Sequence, residues 1–448
     1  MRAPSLTTQI FLGLGIGVAV GWLLPAVGVN MRPVSLLFLN LIKSIIAPLI
    51  FATLVVGIAH TGDIKQVGRM GIKSLVYFEI VTTLALVVGL VAVNLAKPGV
   101  GVALPTKHAQ DKIDLAAEAA ALADEGKIAE ATAILARVPS APDPPPKPRS
   151  FGDVIEHLAP ASVIKAMADG DVLQIVVFSV LFALGATLIG ERARPVLDWC
   201  ESLAEVMFRF TEIIMKFAPV GVGAAMAYTV GHSGLGVLVN LGKLVMTLYA
   251  ALAVFVFVVF GSVIAIFRVP LRDFITAVKT PAMIAFATTS SESALPRAME
   301  NMERMGVPRR VVGFVLPTGY SFNLDGTTLY LSMASIFVAQ AAGVHMSLSQ
   351  QIVLMLTLML TSKGVAGVPR ASLVILSGTL ASFDLPVTGV LVILGVDELM
   401  DMGRTAVNVV GNCLATVVVS KWEGNFRTEP LPPEVLEGEG AILDSGDG

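Results

Sequence analysis

Asp397-Glu-Leu-Met-Asp401-Met-Gly-Arg404-Thr-Ala-Val-Asn408-Val-Val-Gly-Asn412 lies within a stretch, Leu385 to Trp422, that is otherwise mostly Leu, Val, Ile, Ala and Met. Asp397, Asp401, Arg404, Asn408 and Asn412 are spaced i, i+4, i+7, i+11 and i+15. At about 3.6 residues per turn they fall within roughly 80° of one another around a helix axis. An Asp or Arg at the centre of a membrane span costs about 2.5–3.5 kcal/mol on insertion scales. A face that carries this cost repeatedly is turned toward a binding site or a polar interior, not toward lipid.

The chain around this helix is just as apolar. Of 448 residues, 55% are hydrophobic and 15% charged, and the mean hydropathy is +0.79. Soluble domains do not need that much hydrophobicity, so the chain reads as an all-α polytopic membrane protein. A net charge of -3 offers no basic surface to nucleic acid. Cys200 and Cys413 both sit in apolar segments and suggest neither a disulfide framework nor a zinc site. His60, His108, His157, His232 and His345 are scattered, mainly in loops, without metal-ligand spacing. No Ser elbow or Cys–His arrangement is evident, so neither an enzyme nor a cofactor is expected. Met1–Leu24 lacks a clear small-residue cleavage site and reads as the first span.

Apolar segments long enough to span occur at about 8–25, 36–59, 74–96, 171–190, 200–230, 236–267, 310–342 and 386–422. Lys65, Arg69 and Lys73, then Arg192, Arg194, Arg268 and Arg272, then Arg304, Arg309 and Arg310 lie in loops separated by even numbers of spans. The positive-inside rule puts these loops, and both termini, in the cytoplasm. The segment 99–160 then falls outside. Its Ala-rich stretch and the proline run after Pro139 read as a surface insertion with a semi-rigid spacer. The acidic, Gly-rich tail after Thr428 reads as disordered.

Two shorter apolar pieces, about 273–303 and 348–383, make no clean span. The first contains Thr289-Ser-Ser-Glu-Ser-Ala-Leu-Pro-Arg-Ala298, the second Thr361-Ser-Lys-Gly-Val-Ala-Gly-Val-Pro-Arg-Ala371. Each has small and hydroxyl residues followed by Pro-Arg-Ala. Each precedes a polar patch on a long apolar segment, Asn323-Leu-Asp-Gly-Thr327 in one case and Asp397–Asn412 in the other. Paired interrupted segments in corresponding places mark the inverted repeats of secondary transporters. Non-helical backbone at membrane depth must line a cavity or be buried in protein. There its carbonyls can bind cations, and a half-helix N-terminus can bind a carboxylate.

Thr289-Ser290-Ser291, Asn323-Leu-Asp-Gly-Thr327, Gly364-Val-Ala-Gly-Val-Pro369 and Asp401-Met-Gly-Arg-Thr-Ala-Val-Asn408, in this order, resemble the dicarboxylate/amino acid:cation symporter family, which includes the glutamate transporters. The resemblance covers nearly the whole chain except 105–150 and the tail. It implies eight transmembrane helices, two re-entrant helical hairpins, a homotrimer and an elevator motion of a transport domain against a scaffold. By that analogy residues 1–72 hold scaffold spans one and two, and 73–98 hold span three of the transport domain. Residues 99–160 are the extracytoplasmic insertion, and 161–232 hold scaffold spans four and five. Residues 233–424 complete the transport domain, and 425–448 are the cytoplasmic tail. The location implied is a bacterial inner membrane.

Roles follow from the same resemblance. Arg404 matches the residue that pairs with the substrate's side-chain carboxylate, a task suited to a planar guanidinium. Asp401 matches the acceptor for its amino group. Asn408 and Thr327 would hydrogen-bond the substrate, supported by Thr405. Ser291 and the backbone near Thr289 and Val368 would hold its α-carboxylate. Asn323, Asp325, Asn408, Asn412 and the backbone around Gly319, Ser321 and Ser362 match positions that serve cations, with sodium as one candidate ion.

Asp401 separates the substrate classes. A C4-dicarboxylate has no ammonium, and an aspartate facing its site would repel it. Glutamate or aspartate satisfies both Asp401 and Arg404 and is the expected substrate, with a C4-dicarboxylate as the alternative. The coupling ion is expected to be the proton, with sodium as the alternative. Asn412 stands where sodium-coupled members have an aspartate, and a neutral amide is a weaker ligand for a hard cation. Phe78 and Val81 replace a tyrosine and a hydroxyl residue at another cation site, leaving Thr82, Asn323 and Asp325. Glu79, within span three, is a candidate proton carrier if buried, and Asp325 is a second. A channel-like anion conductance would use similar polar faces but needs a continuous pore.

Overall fold

The computed structural model describes residues 6–59, 64–102, 160–169, 171–362, 371–383 and 385–426. Residues 103–159 of the insertion expected over 99–160, the tail beyond 426 and Val368 lie outside the described residues, as does the side chain of Ser321. The described residues are helical throughout, joined by short turns, with no strand among them.

The elements are α1 (Leu6–Leu23), α2 (Pro25–Asn30), α3 (Arg32–Ala59), α4 (Ile64–Ala96), α5 (Val163–Asp169), α6 (Val172–Ile189), α7 (Arg194–Met215) and α8 (Ala218–Ser233). After them come α9 (Gly236–Ile266), α10 (Leu271–Thr288), α11 (Ser291–Arg304), α12 (Arg309–Phe322), α13 (Asp325–Ala341), α14 (Leu348–Thr361), α15 (Ala371–Ser382), α16 (Gly389–Leu394) and α17 (Asp397–Trp422). Six stretches among the described residues are long and apolar enough to cross a bilayer. The expected eight spans are therefore not eight continuous rods. Span five, expected as one helix over 200–230, is broken at Lys216-Phe217 into α7 and α8, where Pro219 fits the first turn of the new helix. Span seven unwinds at Asn323-Leu324 into α12 and α13. Span eight contains a short α16 before α17, parted at Gly395-Val396.

Local chemistry sets many of the helix starts. Asp171 accepts a hydrogen bond from the Gln174 backbone N–H (3.2 Å) to cap α6, and Ser347 with Gln350 forms a capping box at α14. In the first interrupted segment α10 and α11 pack on one another as a helical hairpin. Thr289, at φ 51°, turns the chain, and Ser290 caps α11 by accepting from the Ser293 N–H. Asn301 Nδ2 donates to the Ala277 carbonyl (2.7 Å) and pins the two arms. The second interrupted segment gives α14 and α15, also in contact.

Packing divides the helices into two groups. One contains α1, α2, α3, α6, α7 and α8, with α1 lying along α8 and α3 between α6 and α7. In the other, α17 is surrounded by α10, α11, α12, α13, α4 and α9, and α13 also lies along α4. Contacts of α8 with α16, of α14 with α6 and of α15 with α3 join the two. The result for the polar helix is enclosure. Its apolar window is 83% buried, whereas that of α9 is 28% buried, so α17 turns its polar face to protein.

Candidate functional site

All five residues of the polar stripe are buried, from 0% exposed for Asp397 and Asn412 to 6% for Asp401. They divide into two clusters along α17.

The first cluster is ionic. Arg404 Nε donates to Asp401 Oδ1 (2.8 Å), Nη1 donates to Asp397 Oδ1 (2.9 Å) and Nη2 to Asp397 Oδ2 (3.4 Å). Thr405 Oγ1 also donates to Asp401 Oδ1 (3.0 Å), and the guanidinium carbon lies 4.2 Å from the centre of the Tyr330 ring. Helical side chains lean toward the helix N-terminus, so Arg404 reaches the residues three and seven positions before it. That directionality is the signal that could have assigned Asp397 its part from sequence, where it appears in the stripe without a role. Two carboxylates against one guanidinium leave one excess negative formal charge in a closed environment. The bonds to the aspartates use three of the five guanidinium donors, so two are not taken by them.

The second cluster forms where span seven unwinds. Asn408 Oδ1 accepts from the backbone N–H groups of Gly326 (2.8 Å) and Thr327 (3.2 Å), and its Nδ2 donates to Thr327 Oγ1 (2.9 Å). The first turn of a helix has N–H groups without intrahelical partners. Asn408 supplies the missing acceptor for α13 from another helix. Asn323 Nδ2 donates to Asp325 Oδ2 (3.1 Å) and to Asn412 Oδ1 (3.1 Å), and all three residues are 0% exposed. Asn323 Oδ1 and Asn412 Nδ2 are buried without a hydrogen-bond partner, as are Thr82 Oγ1 and Tyr77 OH on the buried face of α4. Two glycines permit this closeness. A Cβ on Gly319 would meet the Asn412 amide, and one on Gly411 would meet the Asp325 carboxylate. Oxygens without a proton donor, gathered beside a carboxylate, are suited to a hard cation. No group of three or more His, Cys, Asp or Glu side chains that could hold a metal ion occurs among the described residues.

Other candidates stand at varied distances from these clusters. Thr405 (5% exposed) and Thr327 (9%) belong to them. The hairpin α10–α11 packs on α17 with Thr289 and Ser291 half-buried, and neither hydrogen-bonds to the ionic cluster. Ser362 is buried at the end of α14, its Oγ donating to the Met359 carbonyl (3.3 Å). Ser321 lies in the last turn of α12, and the Gly319 carbonyl accepts from the Asn323 N–H (2.7 Å). Glu79 is half-buried rather than enclosed. The buried face of α4 carries its neighbours Tyr77, Phe78, Val81 and Thr82, and Glu79 stands a fraction of a turn away from it.

The family described as sodium:dicarboxylate symporter family matches residues 6–422 of this chain. The chain is 43% identical over 435 residues to the proton/sodium-glutamate symport protein of Bacillus caldotenax, an alignment covering 96% of this chain and 97% of that one. It is 41% identical over 435 residues to the C4-dicarboxylate transport protein of Bacillus subtilis (strain 168), covering 97% of each. It is 40% identical over 442 residues to the C4-dicarboxylate transport protein of Pseudomonas savastanoi pv. phaseolicola, covering 98% of this chain and 91% of that one.

Proposed function

Because the chain belongs to the sodium:dicarboxylate symporter family, we propose that it is a proton-coupled symporter that takes up glutamate or aspartate across a bacterial inner membrane. The observation that carries this reading is the buried Asp397–Arg404–Asp401 cluster. Asp397 holds the guanidinium in place. The two remaining donors of Arg404 take the substrate's side-chain carboxylate, and Asp401 takes its ammonium. The excess negative charge of the cluster favours a ligand carrying an ammonium over a dianion, since burying like charges together is costly. Asn408 and Thr327 contribute their remaining hydrogen-bonding capacity beside the ligand, and Thr405 steadies Asp401. Ser291, with the backbone near Thr289 and Val368, receives the α-carboxylate.

Cation coupling follows from the same charge balance. Asp325 adds a further buried negative charge next to Asn323 and Asn412. A monoanionic substrate would raise the total again, and a co-transported cation offsets it. Asn323, Asp325, Asn412, Asn408 and the backbone of Gly319, Ser321 and Ser362 form the cation route. Glu79 is a secondary proton carrier at its edge. The packing of the helices into two groups supports a scaffold over 1–72 and 161–232 and a transport domain over 73–98 and 233–424. The working unit is a homotrimer with elevator motion and cytoplasmic termini.

The deciding experiment is labelled L-aspartate uptake into proteoliposomes under an inward proton gradient in sodium-free buffer. Accumulation, competed by L-glutamate more strongly than by succinate, is the expected result. Uptake that requires added sodium would replace the proton as coupling ion. The C4-dicarboxylate reading, favoured by the names of two of the relatives, predicts instead that succinate accumulates and competes best.

A further inference from the structure

Away from the polar clusters, a groove of about 400 Å³ separates α4 from α9. Ile80 and Leu84 form one wall and Val258 and Val263 the other, while Phe267 and Trp422 close one end. Val258 belongs to the segment Phe255–Phe260, where α9 widens into a π-helical turn. Such turns are uncommon and concentrate at functional sites. Ile80 is 56% exposed and Val258 59%, so the walls are open to an apolar occupant.

The closed end is basic. The Phe267 and Trp422 rings are 6.3 Å apart, and Lys73 Nζ lies 5.6 Å from the Trp422 ring centre. Lys421 Nζ donates to the carbonyl of Arg268, whose own side chain is exposed beside Phe267. Arg69 reaches the same corner. The acidic side chain there is Glu423, which pairs with Arg69 and Lys73. Positive charge is therefore in excess at this end.

We propose that this groove binds one acyl chain of a glycerophospholipid whose anionic headgroup rests among Arg268, Lys421 and Lys73. An apolar slot ending in a Trp and a basic rim matches the profile of such a lipid from tail to head. A second copy of the chain would bring its own basic rim against this one. The site is joined to the polar clusters through α4. Tyr77 lines the groove, and its neighbour Phe78 lies against Gly319.

The test is lipid retention. Purified, delipidated protein is offered equal phosphatidylglycerol and phosphatidylcholine, and the lipid bound per chain is counted by native mass spectrometry. Phosphatidylglycerol is expected to be preferred, by about fivefold per basic residue engaged. Val258→Trp fills the slot from an exposed wall position and abolishes the retained lipid of either kind. Ser262→Phe fills the same wall and serves if Val258→Trp does not fold, as judged by melting in detergent. Arg268→Gln with Lys421→Gln keeps a lipid bound but lowers the preference by about 25-fold, leaving only the share of Lys73. Equal retention of both lipids by the wild type overturns the headgroup assignment. Retention unchanged in the groove-filling variant overturns the site and assigns the lipid to the bulk annulus.

Discussion

A guanidinium at 1% exposure requires anionic partners, and Arg404 has Asp397 and Asp401 on its own helix. The two aspartates differ in consequence. Asp397 takes both terminal nitrogens, whereas Asp401 takes only Nε and keeps a second oxygen for other contacts. Asp397→Asn leaves Asp401 to balance the guanidinium charge but weakens the two charge-assisted bonds that hold it in place, a loss of about 1.5–3 kcal/mol. The expected outcome is a fall in the melting temperature of the purified protein, with uptake lost together with folded protein. Asp401→Asn keeps the clamp and changes the ligand. Aspartate uptake should fall at least tenfold, while inhibition by succinate relative to aspartate rises. Equal loss of recognition for both ligands would refute the ammonium role. Asn408→Ala tests the capping role, because it strands the N–H groups of Gly326 and Thr327. Each stranded donor costs about 1–3 kcal/mol. Thermal unfolding should show that loss even without substrate, which a residue that only touched substrate would not produce.

At the level of helices, the breaks matter more than the rods. Asn323-Leu-Asp-Gly-Thr327 is legible as an interruption because three polar residues and a glycine fall at mid-span, and α12 and α13 do part there. The divided span five was less legible, since Met215-Lys-Phe-Ala-Pro219 contains one proline and no polar patch. A proline in the first turn of a helix reads much like one in a tolerated kink until the preceding helix is seen to end. The burial of the stripe on α17 could be read from its period, and the pairing of Arg404 with Asp397 from the lean of helical side chains toward the helix N-terminus. The half-buried position of Glu79 could not be read. Its segment is apolar on all sides, so period does not separate the protein-facing side from the open one. Close helix approach gives a further test at this scale. Gly13, Gly17 and Gly21 recur every fourth residue on α1, and a Cβ on any of them would strike the backbone of α8 at Pro219, Gly223 or Ala227. Small residues at this spacing let membrane helices pack backbone to backbone. Gly17→Leu should destabilise the protein by about 1–3 kcal/mol or more through overpacking, seen as a lower melting temperature. Gly15→Leu, on an open face of the same helix, should not.

Across the whole chain, the group of helices around α17 is tied at one end by residues far apart in sequence. Glu423, just past α17, pairs with Arg69 and Lys73 at the start of α4, and Lys73 also donates to the Trp422 carbonyl (2.8 Å). Hydrogen bonds from Arg69 and then Lys73 hold the Glu423 carboxyl down at about 2, against an ordinary value of 4.5. A carboxylate with a lowered value in the folded state stabilises fully above its ordinary value and loses that contribution as the pH falls through the lower one. The Arg69 side chain is 75% exposed, so screening makes the contribution small. Glu423→Gln should therefore melt slightly below the wild type at neutral pH, and the gap should close as the pH falls from 4.5 toward 2. A gap that widens on acidification would contradict the sign. The same reasoning separates this tie from ion coupling. Between pH 5 and pH 8 the Glu423 carboxylate stays charged, so it cannot deliver a proton to the transport cycle there. The pH profile of aspartate uptake should be the same in Glu423→Gln as in the wild type over that window, while Asp325→Asn should flatten it. A profile that shifts with Glu423 would move the proton route from the Asn323–Asp325–Asn412 cluster to the far end of α17.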